Sequence, residues 1–163
     1  MLRTTEYLEE FDIPYEMVGA SSYFGRGEIQ DMANMLKSIA SPLDQVSVVA
    51  ALKGPFFSLT DKDLYTWRLQ GGKFDYRGAG EDPDHKVGHA LREIWSLHKE
   101  SRKTTAANLL RKVLEEKGIL ASYMKTKRGR HKVLNIIKAM ELLRSFGKIP
   151  FRDAVADFTN KLE

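Results

Sequence analysis

Apolar side chains recur along this chain at helical intervals, with polar residues between them. The clearest run is Ile29, Met32, Ala33, Leu36, Ile39 and Ala40, one face of a helix that Ser41-Pro42 ends. Asp44 is placed to cap a second helix with Val48, Val49 and Leu52 inward, broken by Gly54-Pro55. Thr60 and Asp63 have the spacing of a capping box and open a third helix through Leu64, Trp67 and Arg68. Asp84 starts a fourth, with Val87, Leu91, Ile94 and Trp95 inward. Thr104 or Thr105 opens a fifth over Leu109, Leu110, Val113 and Leu114. Lys117-Gly118 stops it, a cation at the negative helix end followed by a glycine for the left-handed cap. The longest helix should run from about Arg130 to Phe146, over Val133, Ile136, Ile137, Met140 and Leu143, until Gly147. Phe151, Val155, Phe158 and Leu162 make a final amphipathic helix.

Between the third and fourth helices, Gln70 to Pro83 is rich in glycine and poor in apolar residues, which reads as a long loop. Near the start, Thr4 to Phe11 is a short helical candidate stopped by Asp12-Ile13-Pro14, and Tyr15 to Val18 alternates like a small strand. Apolar stripes of this kind must bury one another. The pattern therefore predicts a mainly α fold: an orthogonal multi-helix domain with one long glycine-rich loop and at most a small N-terminal strand.

Composition narrows the chemistry. With 42% hydrophobic and 29% charged residues, there is enough apolar surface to offset chain entropy, so whole-chain disorder is excluded. The absence of cysteine removes disulfides, thiolate zinc sites and cysteine nucleophiles. No apolar run approaches the ~20 residues that cross a bilayer. The charged stretch Met1 to Glu10 lacks a signal-peptide pattern, so a cytoplasmic setting and no membrane partner are expected. The net charge of +4 mildly favours a polyanionic partner.

The densest basic cluster is Lys125, Lys127, Arg128, Arg130, His131 and Lys132, around Gly129 at an expected helix start. Cations beside unpaired helix-start amides suit phosphate contacts that position a nucleic-acid backbone without reading its sequence; the alternative is a solvated turn. Lys62 is a second candidate for phosphate contact. Phe56, Phe57, Trp67 and Trp95 read as core residues. His85 and His89, four apart, could join Asp82 and Asp84 around a metal, but two acids at a helix start explain the pattern more simply, and no metal site is assigned. No phosphate-binding loop of the form G-x-x-x-x-G-K-[S/T] occurs, since Phe74 follows Gly71-Gly72-Lys73.

One block is more specific than helical periodicity. Ile13-Pro14-Tyr15-Glu16-Met17-Val18-Gly19 followed by Tyr23-Phe24-Gly25-Arg26-Gly27-Glu28-Ile29-Gln30-Asp31 resembles the "IPY..VGG..FFER.EIKD" pattern of UvrD/Rep-type superfamily 1 DNA helicases. Leu52 to Leu64 is similar to the "L.SPLFGLSD..L" pattern of the AddA/RecB-like helicase-nuclease branch. Thr105 to Leu120, Asn135 to Phe146 and Phe151-Arg152-Asp153 resemble later segments of the same region, in the same order.

The resemblance implies a fragment corresponding to the helical 2B accessory subdomain of such an enzyme. Residues 1–27 would be a lead-in from the second motor domain and hinge, and 28–163 the accessory domain. Gly25, Arg26 and Gly27 are then candidates for the hinge. It implies a non-catalytic role here, with no cofactor in this fragment, while ATP and magnesium serve the parent 3′-5′ helicase or helicase-nuclease. Expected partners are duplex or junction DNA, the parent's other domains and a partner subunit. Where UvrD-like relatives carry a duplex-contacting "GIG" turn, Ser58-Leu59-Thr60 stands here, and that departure removes the glycine amide nest.

Overall fold

The structure, a computed structural model, describes residues 26–78 and 85–161. The described residues form eight α-helices and no strand: α1 Gly27–Ala40, α2 Gln45–Lys53, α3 Asp61–Leu69, α4 Lys86–Glu100, α5 Ala106–Glu116, α6 Ile119–Met124, α7 Gly129–Ser145 and α8 Phe151–Asn160. A 3₁₀ turn at Tyr76–Gly78 lies between α3 and α4. The fold is mainly α, as the periodicity requires. The candidate elements at Thr4–Phe11 and Tyr15–Val18 lie outside the described residues, as does Leu162.

Local chemistry sets most helix starts. The Asp44 carboxylate accepts the Ser47 N–H at 3.0 Å and caps α2. At α3 the Thr60 hydroxyl accepts the Asp63 N–H at 3.2 Å while Asp63 accepts the Thr60 N–H at 2.9 Å, a reciprocal capping box. Thr105, rather than Thr104, caps α5 by accepting the Asn108 N–H. Gly118, at φ +60°, turns the chain between α5 and α6. The start of α4 departs from expectation. His85 caps it, its Nδ1 accepting the Val87 N–H at 3.1 Å, and Asp84 lies outside the described residues.

Helix α1 is the central strut. Besides the expected stripe, Met35, Ser38 and Glu28 are buried, so the helix is enclosed on nearly every side. Its two buried polar side chains are satisfied: the Ser38 hydroxyl donates to the Met35 carbonyl at 2.8 Å, and Glu28 accepts from Asn135 Nδ2 at 2.6 Å. Around α1 the larger hydrophobic core gathers Met32, Leu36, Leu110, Ile136, Leu143 and Phe158 with their neighbours. A second core joins Val48, Leu52, Leu64, Trp67, Tyr76, Leu91 and Ile94 from α2, α3, the 3₁₀ turn and α4.

One expectation about side-chain placement is corrected. In α7, Ile137 is 43% exposed, and the inner stripe is Ile136, Ala139, Met140 and Leu143. Asn135 is seated on Glu28, and two residues along a helix rotate by about 200°, which turns Ile137 outward. The glycine-rich loop is a loop as expected, and its described residues 70–78 pack against the body. Tyr76 is fully buried, Trp67 Nε1–H donates to the Lys73 carbonyl at 3.1 Å, and Gly72 lies flat against the Trp67 ring. A Cβ on Gly72 would fall 2.2 Å from Trp67 Cε2, so only glycine fits that approach.

Candidate nucleic-acid interface

The basic cluster occupies the corner between α6 and α7. The chain leaves α6 at Lys125, bends through Thr126 and Lys127, and starts α7 at Gly129. The bend is tight. Thr126 N–H donates to the Tyr123 carbonyl at 2.9 Å, and Gly129 N–H donates to the Thr126 carbonyl at 2.9 Å. Arg128 adopts the left-handed conformation at φ +61°, a conformation that a β-carbon disfavours. Gly129 is pressed onto α6: a Cβ there would meet the Tyr123 carbonyl oxygen at 2.4 Å and that of Met124 at 2.6 Å. This joint fixes the backbone from which the charged side chains extend.

Lys125, Lys127, Arg128 and Arg130 are exposed at the corner. Lys132 is half-buried, donates to Thr126 Oγ1 at 3.2 Å and lies over the Tyr123 ring at 5.6 Å. No side chain caps the start of α7; the Gly129 N–H goes to Thr126, which leaves the Arg130 and His131 amides at the positive end of the helix beside the cations. Among the described residues no carboxylate pairs with Lys125, Lys127 or Arg130. The sequence holds a signal here that residue-by-residue reading missed. From Lys117 to Met140 there is no Asp or Glu, while Lys117 and Lys138 extend the basic run at either end.

Beneath the corner lies one acid. The Tyr123 hydroxyl donates to Asp31 Oδ2 at 2.6 Å, which ties α6 to α1. Burial raises the Asp31 carboxyl above the usual range, opposed by the Tyr123 hydrogen bond and by Lys132, and assisted by Glu28. Burial and the Asp31 charge push the Tyr123 phenol well up as well, so it stays a neutral donor.

Lys62 belongs to another neighbourhood. It stands exposed at the start of α3 between Asp61 and Asp63, which pair with Lys53 at 2.7 Å and Lys86 at 3.6 Å. The turn before it uses its amides internally: Ser58 N–H donates to the Gly54 carbonyl at 2.8 Å and Leu59 N–H to the Leu52 carbonyl at 3.0 Å. Lys117 Nζ lies over the Phe57 ring at 4.5 Å and bridges to Glu93 at 2.7 Å. Of the hinge candidates, Gly25 lies outside the described residues. Arg26 precedes α1, its carbonyl accepting the Ile29 and Gln30 amides, and Gly27 opens α1 with nothing within 4 Å of a Cβ placed there. His85 is used for capping and tilts against Trp67 at 5.1 Å, while Asp82 and Asp84 lie outside the described residues. Among the described residues no three His, Asp or Glu side chains gather as a metal site. None of their helices is long and apolar enough to cross a membrane.

Fold and corner together define a helical body that presents a fixed cationic joint. The chain is similar to the AddA subunit of the ATP-dependent helicase/nuclease of several bacteria. It is 28% identical to that of Exiguobacterium sibiricum over 120 residues, covering 69% of this chain and 10% of that protein. Identity to that of Lactobacillus acidophilus is 23% over 157 residues, covering 90% of this chain and 13% of that protein. A shorter match to that of Limosilactobacillus reuteri reaches 36% over 75 residues, covering 44% of this chain and 5% of that protein. The chain fits the AddA/UvrD-like helicase family, in agreement with the resemblance carried by its motifs. It spans about a tenth of the length of the curated relatives it matches. No family model matches, and no solved structure does.

Proposed function

We propose that this chain is a non-catalytic accessory part of an ATP-dependent 3′-5′ DNA helicase or helicase-nuclease of recombination and repair. In this reading residues 28–163 form the 2B-like body and residues 1–27 lead in from the second motor domain. ATP and magnesium act elsewhere in the parent, at its motor. The body contacts duplex or junction DNA at the α6–α7 corner and gates unwinding by its position.

One observation carries the DNA reading: an acid-free basic run folded into a rigid, exposed joint beside the uncapped start of α7. Such a site attracts backbone phosphates through charge and amide dipoles, with no means of reading bases. A second reading is a docking surface for a partner protein of the same complex. Met124, Leu134 and Ile137, exposed by 54%, 49% and 43% beside the corner, favour it.

A fluorescent forked duplex titrated at low and moderate salt separates the two. On the DNA reading, binding weakens steeply with salt, and Lys127→Glu with Arg128→Glu weakens it at least tenfold. Because Arg128 holds a left-handed position, Lys125→Glu with Arg130→Glu provides a second charge reversal and should have the same effect. No binding at low salt, or binding that both reversals leave intact, rejects the DNA reading.

A further inference from the structure

Helix α7 is apolar on its outer side as well as its inner one. Helices α1, α4, α5 and α8 expose no large hydrophobic side chain, whereas α7 exposes Leu134 and Ile137, by 49% and 43%. These two stand three positions apart, so they are neighbours on one face. Arg130, Leu134, Ile137, Glu141 and Arg144 are all exposed and recur at i, i+4, i+7, i+11 and i+14. That spacing sets them along one outward line, opposite the buried Ala139 and Leu143. The line is about 21 Å long, at the helical rise per residue. Lys138, one turn on from Leu134, is exposed beside it.

Charge surrounds the apolar pair. Arg130, Lys138 and Arg144 flank it, and Glu141 is the one acid on that face. Among the described residues, none of these four has an ion-pair partner. The fold therefore makes no use of the outer face of α7, either for packing or for pairing charge. An apolar centre within a charged rim is the anatomy of a protein interface, and here the rim is cationic.

These features choose among occupants. A nucleic-acid backbone laid along the line would set phosphates over Leu134 and Ile137, which offer neither charge nor a hydrogen bond. A second copy packed antiparallel about Ile137 would bring Arg130 against Arg144 of the other copy, like charge on like. An extended peptide would leave its backbone groups unpaired, because the described residues hold no strand for it to extend. A helix satisfies its own backbone and seats its side chains between those of α7. We infer that the outer face of α7 docks an acidic amphipathic helix of a partner protein, with apolar side chains on Leu134 and Ile137 and carboxylates on Arg130, Lys138 and Arg144. A cation of that helix opposite Glu141 sets its direction.

This inference rests on the second reading above, a protein partner, and places the contact along α7 rather than at the corner. The test titrates the ¹⁵N-labelled chain with a synthetic helical peptide of about 15 residues, long enough for the line, carrying leucine at every third or fourth position and glutamate between. Amide resonances of Leu134, Ile137, Lys138 and Glu141 should shift. Leu134→Ser with Ile137→Ser should weaken binding about tenfold or more, and so should Lys138→Glu with Arg144→Glu. All four side chains are exposed, so neither pair disturbs the core. Lys127→Glu with Arg128→Glu should leave the α7 shifts in place. Unshifted α7 resonances overturn the inference, as does equal affinity for a peptide with lysine in place of glutamate. Shifts confined to Met124–Arg128 also overturn it, while leaving a protein partner at the corner standing. Equal shifts of Leu134 and Ile137 with an oligonucleotide, or shifts that grow with chain concentration alone, would give the face to nucleic acid or to a second copy.

Discussion

Asp31 is a carboxylate placed where it costs stability. It is half-buried, and burial is the largest influence on its acidity. Its folded-state pKa lies above the ordinary value of 3.8, so the native chain holds its proton to higher pH than the unfolded chain does. Stability therefore falls as pH rises through that raised pKa, because ionisation is harder in the folded state. Asparagine keeps an oxygen for the Tyr123 hydroxyl and carries no charge. Asp31→Asn should raise the melting temperature at pH 7, and the advantage should shrink as pH falls toward 4. A melting temperature at pH 7 that drops on substitution would show that the Tyr123 bond and Lys132 outweigh desolvation. Asp31 also explains why Tyr123, at the base of the basic corner, is held in one orientation: its hydroxyl has a fixed acceptor.

At the scale of elements, the corner depends on how closely α7 approaches α6. The atoms that a Gly129 β-carbon would strike are backbone carbonyl oxygens, which cannot swing aside as a side-chain end can. Gly129→Ala should therefore destabilise the chain by about 1–3 kcal/mol, the range of an overpacked core, as read by urea unfolding. A loss below about 0.5 kcal/mol would mean that the joint opens easily and does not fix the backbone of the corner. The composition of this corner was legible in the sequence, because a run of Lys and Arg around a glycine is local. Its shape was not, because the left-handed Arg128 and the pressed Gly129 follow from packing between two helices. The same division holds elsewhere. Asp44, Thr60 and Gly118 announced their roles because a cap involves residues within a turn of one another. The inner face of α7 did not, because it is set by Asn135 reaching Glu28, 107 positions away. Tyr76 was also illegible: one aromatic residue among glycines carries no period, and its burial depends on Ile39 and His98.

On the scale of the whole molecule, the question is whether two hydrophobic cores make one cooperative body. The cores share no buried residue, but α1 packs against α2 and α4 as well as against α5, α7 and α8, and Phe57 touches both. Tyr76 and His98 both bond the Ile39 carbonyl of α1, which ties the second core to the strut of the first. On the proposed reading, a body that positions a DNA-facing corner must not shear between its halves, and these hydrogen bonds join them. The chain's two tryptophans make the matter measurable, since Trp67 lies in the second core and Trp95 packs against it, whereas far-UV circular dichroism reports every helix. If α1 couples the cores, tryptophan fluorescence and circular dichroism will unfold in urea with the same midpoint and slope. Fluorescence that unfolds at lower urea would reveal the second core as a separately melting unit. The α1 connection would then be a joint between two bodies.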